Sequence, residues 1–188
     1  MSLARTRIAV RLFVRLSAVA ALAALTAGCF QPMYAKHEDG TPGLRDKLMT
    51  VEVPPIDKPN ASQEARLGVE IRNALAFKLY GAATPDVPPL YKLVIRFTSN
   101  RSSLIVNVNT GLPSTENYGI DAQYNLVEIA TNKSVMTGTT FSNVSYDIPG
   151  SYQRFARTRA IRDAEDRASQ EIAANIQTRL ASYFFSGS

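Results

Sequence analysis

The sequence predicts an α+β two-layer sandwich in which two helices pack on one face of a four-stranded mixed sheet, in the order β-α-β-β-β-α. Three observations carry that expectation. Two segments repeat apolar residues every three or four positions, as a helix with one buried stripe must. Three shorter segments alternate with a period of two, as half-buried strands do, and a fourth is rich in Thr, Val and aromatics. Within those strands the second face is polar, so the helices are expected to cover only one side of the sheet.

The first strand is read at Met49, Val51 and Val53, which alternate with Thr50 and Glu52 until Pro54 and Pro55 end the run. A helix from about Ala61 to Tyr80 follows. Leu67, Ile71, Leu75 and Leu79 recur every four residues with Ala74 beside them, Asn60 and Gln63 stand at capping-box spacing, and Gly81 closes the helix. From Leu90 the period changes. Tyr91, Leu93, Ile95 and Phe97 form one apolar face, alternating with Lys92, Val94, Arg96 and Thr98.

The next strand alternates Tyr118, Ile120, Ala122, Tyr124 and Leu126 with Gly119, Asp121, Gln123 and Asn125. The turn Thr131-Asn132-Lys133 joins it to a segment rich in Thr, Val and aromatics, from Val135 to about Tyr146, which completes an antiparallel meander. Because a helix separates the first two strands, their connection is expected to be a right-handed parallel crossover. After Pro149-Gly150-Ser151, a long helix places Ile161, Ala164, Ala168, Ile172, Ile176, Leu180 and Phe184 on one stripe. Arg157, Arg159, Arg162, Asp163, Glu165, Asp166, Arg167 and Glu171 read as its solvated side, since both signs are interspersed.

Residues 1–28 read as a targeting segment. Arg5, Arg7, Arg11 and Arg15 precede an apolar run from Leu16 to Ala27, which is shorter than the roughly 20 residues of a membrane-spanning helix. LTAGCF then sets Gly28 before Cys29, the only cysteine of the chain. This resembles the lipobox of bacterial lipoproteins, with Leu25 one position further from the cysteine than in the commonest version. The resemblance implies cleavage before Cys29, a diacylglycerol thioether on its sulfur and acylation of the new amino terminus. Two or more acyl chains hold a protein stably to a membrane without spanning it. Phe30 after the cysteine implies sorting to the outer membrane. Residues 29–47, rich in charge and turn formers, are expected to be a flexible tether, and 48–188 a single domain.

Composition narrows the chemistry. The net charge of +5 falls to near balance once the four arginines of the targeting segment are set aside, so the domain lacks the basic excess of a nucleic-acid binder. The only histidine, His37, lies in the expected tether. With one His and one acylated Cys, neither a nucleophile-base pair nor a His/Cys metal site is expected, and no glycine run has the spacing of a phosphate loop. The reading is of a protein that is not an enzyme and carries no cofactor beyond the lipid on Cys29. Asn60, Asn100, Asn132 and Asn143 begin Asn-x-Ser triplets, read as chance occurrences in a bacterial lipoprotein.

The order of segments resembles a known family. A basic signal, the start CFQPMYA, the helix SQEARLGVEIRNALAFKLYG, the strand YKLVI and the terminal helix RAIRDAEDRASQEIAANIQTRLASYF are similar to the alphaproteobacterial LptE type of lipopolysaccharide-assembly lipoprotein, over essentially the whole chain. That resemblance implies a lipoprotein that sits in the lumen of the outer-membrane β-barrel LptD, assists its assembly, plugs it and touches lipopolysaccharide. A large barrel leaves an open lumen, which a folded domain with a polar exterior can fill. An auxiliary lipoprotein of a lipid-export ABC system is the alternative. For the lipopolysaccharide contact, phosphate chemistry points to Arg96, Arg101 and Lys133, with Lys92 in support. Lys92 and Arg96 are expected on the open sheet face, Arg101 just after the strand and Lys133 in the hairpin turn.

Overall fold

The computed structural model describes residues 42–59, 61–81, 85–106, 111, 113–148 and 153–186; the targeting segment, Cys29 and His37 lie outside them. Folded structure begins earlier than the sequence pattern suggests. Leu44–Met49 forms a short helix, α1, whose Leu44 and Leu48 are buried in the core. Residues 44–47, read above as the end of a tether, thus belong to the domain. Two leucines four apart are too short a repeat to stand out among turn formers.

Strand β1 is only Val51–Glu52. Helix α2, Gln63–Tyr80, is capped by Ser62, whose Oγ accepts from the Ala65 amide at 3.0 Å; Asn60, read above at capping-box spacing, lies outside the described residues. Gly81 ends the helix at φ 74°, a left-handed conformation that a side chain would oppose. Strands β2 (Tyr91–Val106), β3 (Pro113–Glu128) and β4 (Lys133–Asp147) extend beyond their periodic segments. Ser99 to Ser103 carry no apolar alternation, so the hairpin's far half is invisible to a pattern search. Helix α3 spans Arg154–Phe185.

The four-stranded sheet runs β1-β2-β3-β4, with β1 parallel to β2 and the other pairs antiparallel. This is the expected mixed two-layer α+β arrangement. Leu93, Ile95 and Phe97 oppose Leu126, Tyr124 and Ala122 on the buried face. Helix α3 lies over β3 and β4, and α2 packs beside it, with Gly68 next to Ile56 and Phe97. Burying the stripe Leu67, Ile71, Leu75 and Ile172, Ile176, Leu180 supplies the main driving force, about 1.5–3 kcal/mol for each such side chain.

Side chains seal the open flank next to β1. The Tyr80 hydroxyl donates to the Val51 carbonyl, Arg72 Nε donates to the Val53 carbonyl at 2.9 Å, and Lys58 Nζ donates to the Phe97 carbonyl at 2.8 Å. Backbone acceptors at a sheet edge are thereby satisfied where strand pairing stops.

Candidate functional site

Charge gathers in two places, one on each face of the sheet. At the end where α2 and α3 begin, an open concavity of about 650 Å³ is walled by Arg66, Arg101, Arg162 and Glu165, with Gln63 and Thr158. Glu165 is not on the solvated side of α3 as its neighbours suggest, because its side chain is fully buried between the helices. It accepts from Arg66 Nη2 at 2.5 Å and from Gln63 Nε2. Arg66 also pairs with Glu70 at 3.0 Å. The hydrogen bond to Glu165 holds the Arg66 pKa above its ordinary value, while burial pushes the Glu70 carboxyl up despite its arginine. Nearby, the Tyr146 hydroxyl donates to Glu116, and burial together with that carboxylate pushes Tyr146 up to about 12.

The second place is the sheet face that no helix covers. Lys92 and Arg96 project from it, both exposed, about 13 Å apart along β2. Arg96, Gln123 and Thr139 form one row across three strands. On either side of that row lies a hollow, one of about 450 Å³ reaching Asn125 and Thr137, the other of about 340 Å³ reaching Asp121 and Phe141. Phe141 is 66% exposed. Among the described residues, Arg96 and Asp121 enter no salt bridge.

The four residues singled out from sequence do not converge. Lys92 and Arg96 stand on the open face as expected. Arg101 lies within β2, opposite buried Tyr118, and so turns to the helix-covered face, where it joins the concavity. Lys133 is the first residue of β4, paired with Glu128 rather than free in the turn. Its row and the Arg101 row are ten residues apart along β2, about 33 Å. A strand's period of two explains the split, since residues 96 and 101 differ by an odd number.

A protein-family model for LptE, lipopolysaccharide-assembly, matches residues 48–180. The chain belongs to the LptE family. Among solved structures, a protein of Caulobacter crescentus CB15 described as a lipoprotein is similar at 21% identity and TM-score 0.59, over 77% of this chain and 97% of its own. That likeness shows the fold. Rare lipoprotein B from Shewanella oneidensis is similar at 16% identity and TM-score 0.49, covering 72% and 96% of the two chains. No curated protein sequence matches.

Membership places this chain in a lipopolysaccharide-assembly family. Within its described residues no helix is long and apolar enough to cross a membrane, and no group of three His, Cys, Asp or Glu is placed to hold a metal ion. The feature that sequence reasoning missed is the buried Glu165. Ser169 and Ala173 beside the stripe hinted that the buried face of α3 is one column wider, but the charge of Glu165 gave no signal of its own.

Proposed function

We propose that this LptE-family lipoprotein acts at the outer membrane, acylated on Cys29, where it assists assembly of an LptD-type β-barrel, plugs its lumen and takes part in inserting lipopolysaccharide into the outer leaflet, without catalysis. The observation that carries the reading is the sheet itself. The sheet face that no helix covers carries Lys92, Arg96, Asp121, Gln123, Asn125 and Thr139 beside Val94 and Phe141, and a largely polar face suits a polar barrel interior better than it suits a second apolar layer. The lipopolysaccharide contact is assigned to Lys92 and Arg96 on that face. Arg101 is drawn into the helix-side concavity, and Lys133 stands at the far end of the sheet.

Affinity purification of the full chain from outer membranes in mild detergent tests this. One copy of an outer-membrane barrel per lipoprotein is the expected outcome. Recovery with an inner-membrane ATPase complex and no barrel overturns it in favour of an export auxiliary. Cys29→Ala is expected to leave an unacylated precursor that retains its signal, and an unmodified thiol at the wild-type position 29 by mass spectrometry removes the anchor from the proposal.

A further inference from the structure

Apolar and cationic side chains meet at the end of the domain where β2 finishes and α3 begins. We infer that this end inserts into the surface of an anionic phospholipid bilayer, with Leu104, Ile105 and Val106 entering the hydrocarbon and the arginines behind them meeting lipid phosphates.

The form of the apolar patch selects lipid over protein. Leu104, Ile105 and Val106 close β2 and are 54%, 58% and 49% exposed. Three consecutive side chains of an extended chain cannot all project to one side, so the fold covers no side of this tip. A docked protein surface would shelter one side and leave the other in water. Hydrocarbon surrounds a tip completely, and there all three side chains leave water together. Three strand residues span about 10 Å, the depth to which interfacial segments bury their apolar groups. Pairing with β3 and the Ser114 hydroxyl, which donates to the Ile105 carbonyl at 3.3 Å, satisfy backbone groups that would otherwise resist entry. Phe155, 91% exposed in the first turn of α3, adds an aromatic ring at the same end.

Charge fixes the sign of the surface. Helix α3 opens with Arg154, Arg157, Arg159 and Arg162 before its first carboxylate, Asp163. Cations at a helix N-terminus oppose the helix dipole, so this arrangement is unfavourable in isolation and is relieved against anions. Arg157 Nη2 lies 3.7 Å from Glu116, which stands opposite Ser103, so α3 begins level with the tip. Arg101 lies on β2 about 10 Å behind Leu104. The carboxylates of this end are engaged, Glu116 by Arg157 and the Tyr146 hydroxyl, Asp147 by the Thr115 hydroxyl at 3.0 Å. Arg101 and Arg154 enter no salt bridge among the described residues, which leaves their guanidinium groups to phosphate oxygens.

The tip is remote from the place where residues 29–43 join the domain. Tyr91, at the other end of β2, donates its amide to the Thr50 carbonyl just after α1, and the 16 residues of β2 extend about 50 Å. Insertion is therefore a second membrane contact, separate from an acyl anchor on Cys29 and from the barrel.

The chain contains no tryptophan, so a single introduced indole reports its own surroundings. Full chains carrying Leu104→Trp, Ile105→Trp or Val106→Trp are mixed with vesicles of brominated phospholipid, either containing phosphatidylglycerol or of phosphatidylcholine alone. With the anionic vesicles, emission at all three positions is expected to shift to the blue and to be quenched. Phe77→Trp, at a 65% exposed position beside β1 and Tyr80, is expected to stay unquenched. In the Ile105→Trp chain, adding Arg154→Ala and Arg157→Ala together should raise the lipid concentration for half-maximal quenching at least about tenfold, since each arginine near an anionic surface contributes roughly fivefold. Neutral vesicles or high salt should weaken quenching likewise. The tip variants should melt with the wild type, since the replaced residues are exposed. Absence of a shift with anionic vesicles overturns the inference. Quenching at only one or two tip positions means flat contact in place of insertion and overturns it too, as does equal quenching in Phe77→Trp. A shift that requires added lipopolysaccharide or the purified barrel gives the tip to that partner and refutes the phospholipid assignment.

Discussion

Removing Arg66 is expected to destabilise the domain far more than neutralising the carboxylate it pairs with. The Glu165 side chain is fully buried and that of Arg66 is 40% exposed, with 2.5 Å between Nη2 and Oε2. In Arg66→Ala the carboxylate stays between the helices with only the Gln63 amide for company, and an uncompensated buried charge costs about 3–5 kcal/mol. In Glu165→Gln the charge is gone, one acceptor remains, and Arg66 keeps both solvent and Glu70, so the loss is about 1–2 kcal/mol. Replacing the carboxylate by a packed apolar group, Glu165→Leu, is expected to be near neutral. At about 3 °C per kcal/mol for a domain of this size, Tm falls by roughly 9–15 °C for Arg66→Ala and roughly 3–6 °C for Glu165→Gln. Thermal melts by circular dichroism read both. The double variant Arg66→Ala/Glu165→Leu should recover most of the loss. Equal losses for the two single variants, or no recovery in the double, would show that Glu165 is solvated and that the pair does not join α2 to α3 as described.

Ile172→Asp puts a charge at a fully buried position and is expected to destabilise by more than about 4 kcal/mol, whereas Arg167→Ala, which breaks an exposed pair with Asp163, should change stability by less than about 1 kcal/mol. Similar denaturant midpoints for the two would place the stripe of α3 on the wrong side. Gly138→Ala should lose about 1–3 kcal/mol, because its Cβ would meet the Tyr124 hydroxyl and lie 2.5 Å from Cζ of a buried ring; an unchanged melt would mean that the ring moves freely. Glu70 has a folded pKa above its ordinary 4.5, so its protonated form favours folding and that contribution is lost as pH rises through the folded value. Glu70→Gln is therefore expected to match the wild type in acid and to melt higher at neutral pH, and a lower melt there would mean that the Arg66 pair outweighs burial. Tyr146, held up at about 12, should keep its proton until strong alkali, so absorbance of a phenolate lost selectively in Tyr146→Phe should not appear near pH 10.

The sequence alone determined what depends on local periodicity. The stripe from Leu67 to Leu79, that from Ala164 to Phe184 and the alternation of Tyr91 to Phe97 each repeat at the spacing of the element they form, so the layers and the buried face of the sheet were legible. The parallel step between β1 and β2 followed from chain connectivity, which a helix between two strands nearly dictates. Three features waited for the tertiary structure. Helix α1 exists because Leu44 and Leu48 find a core built by residues distant in sequence. Glu165 is buried because Arg66 and Gln63, about a hundred residues earlier, come up from α2 to meet it. The cationic residues divide between two faces because strand β2 continues straight through Arg101, where the sequence pattern had stopped. A charge carries no periodic signature of its own. Whether it is solvated, paired or turned toward a ligand is set by which elements close over it, and that is a property of packing across the chain rather than of any segment within it.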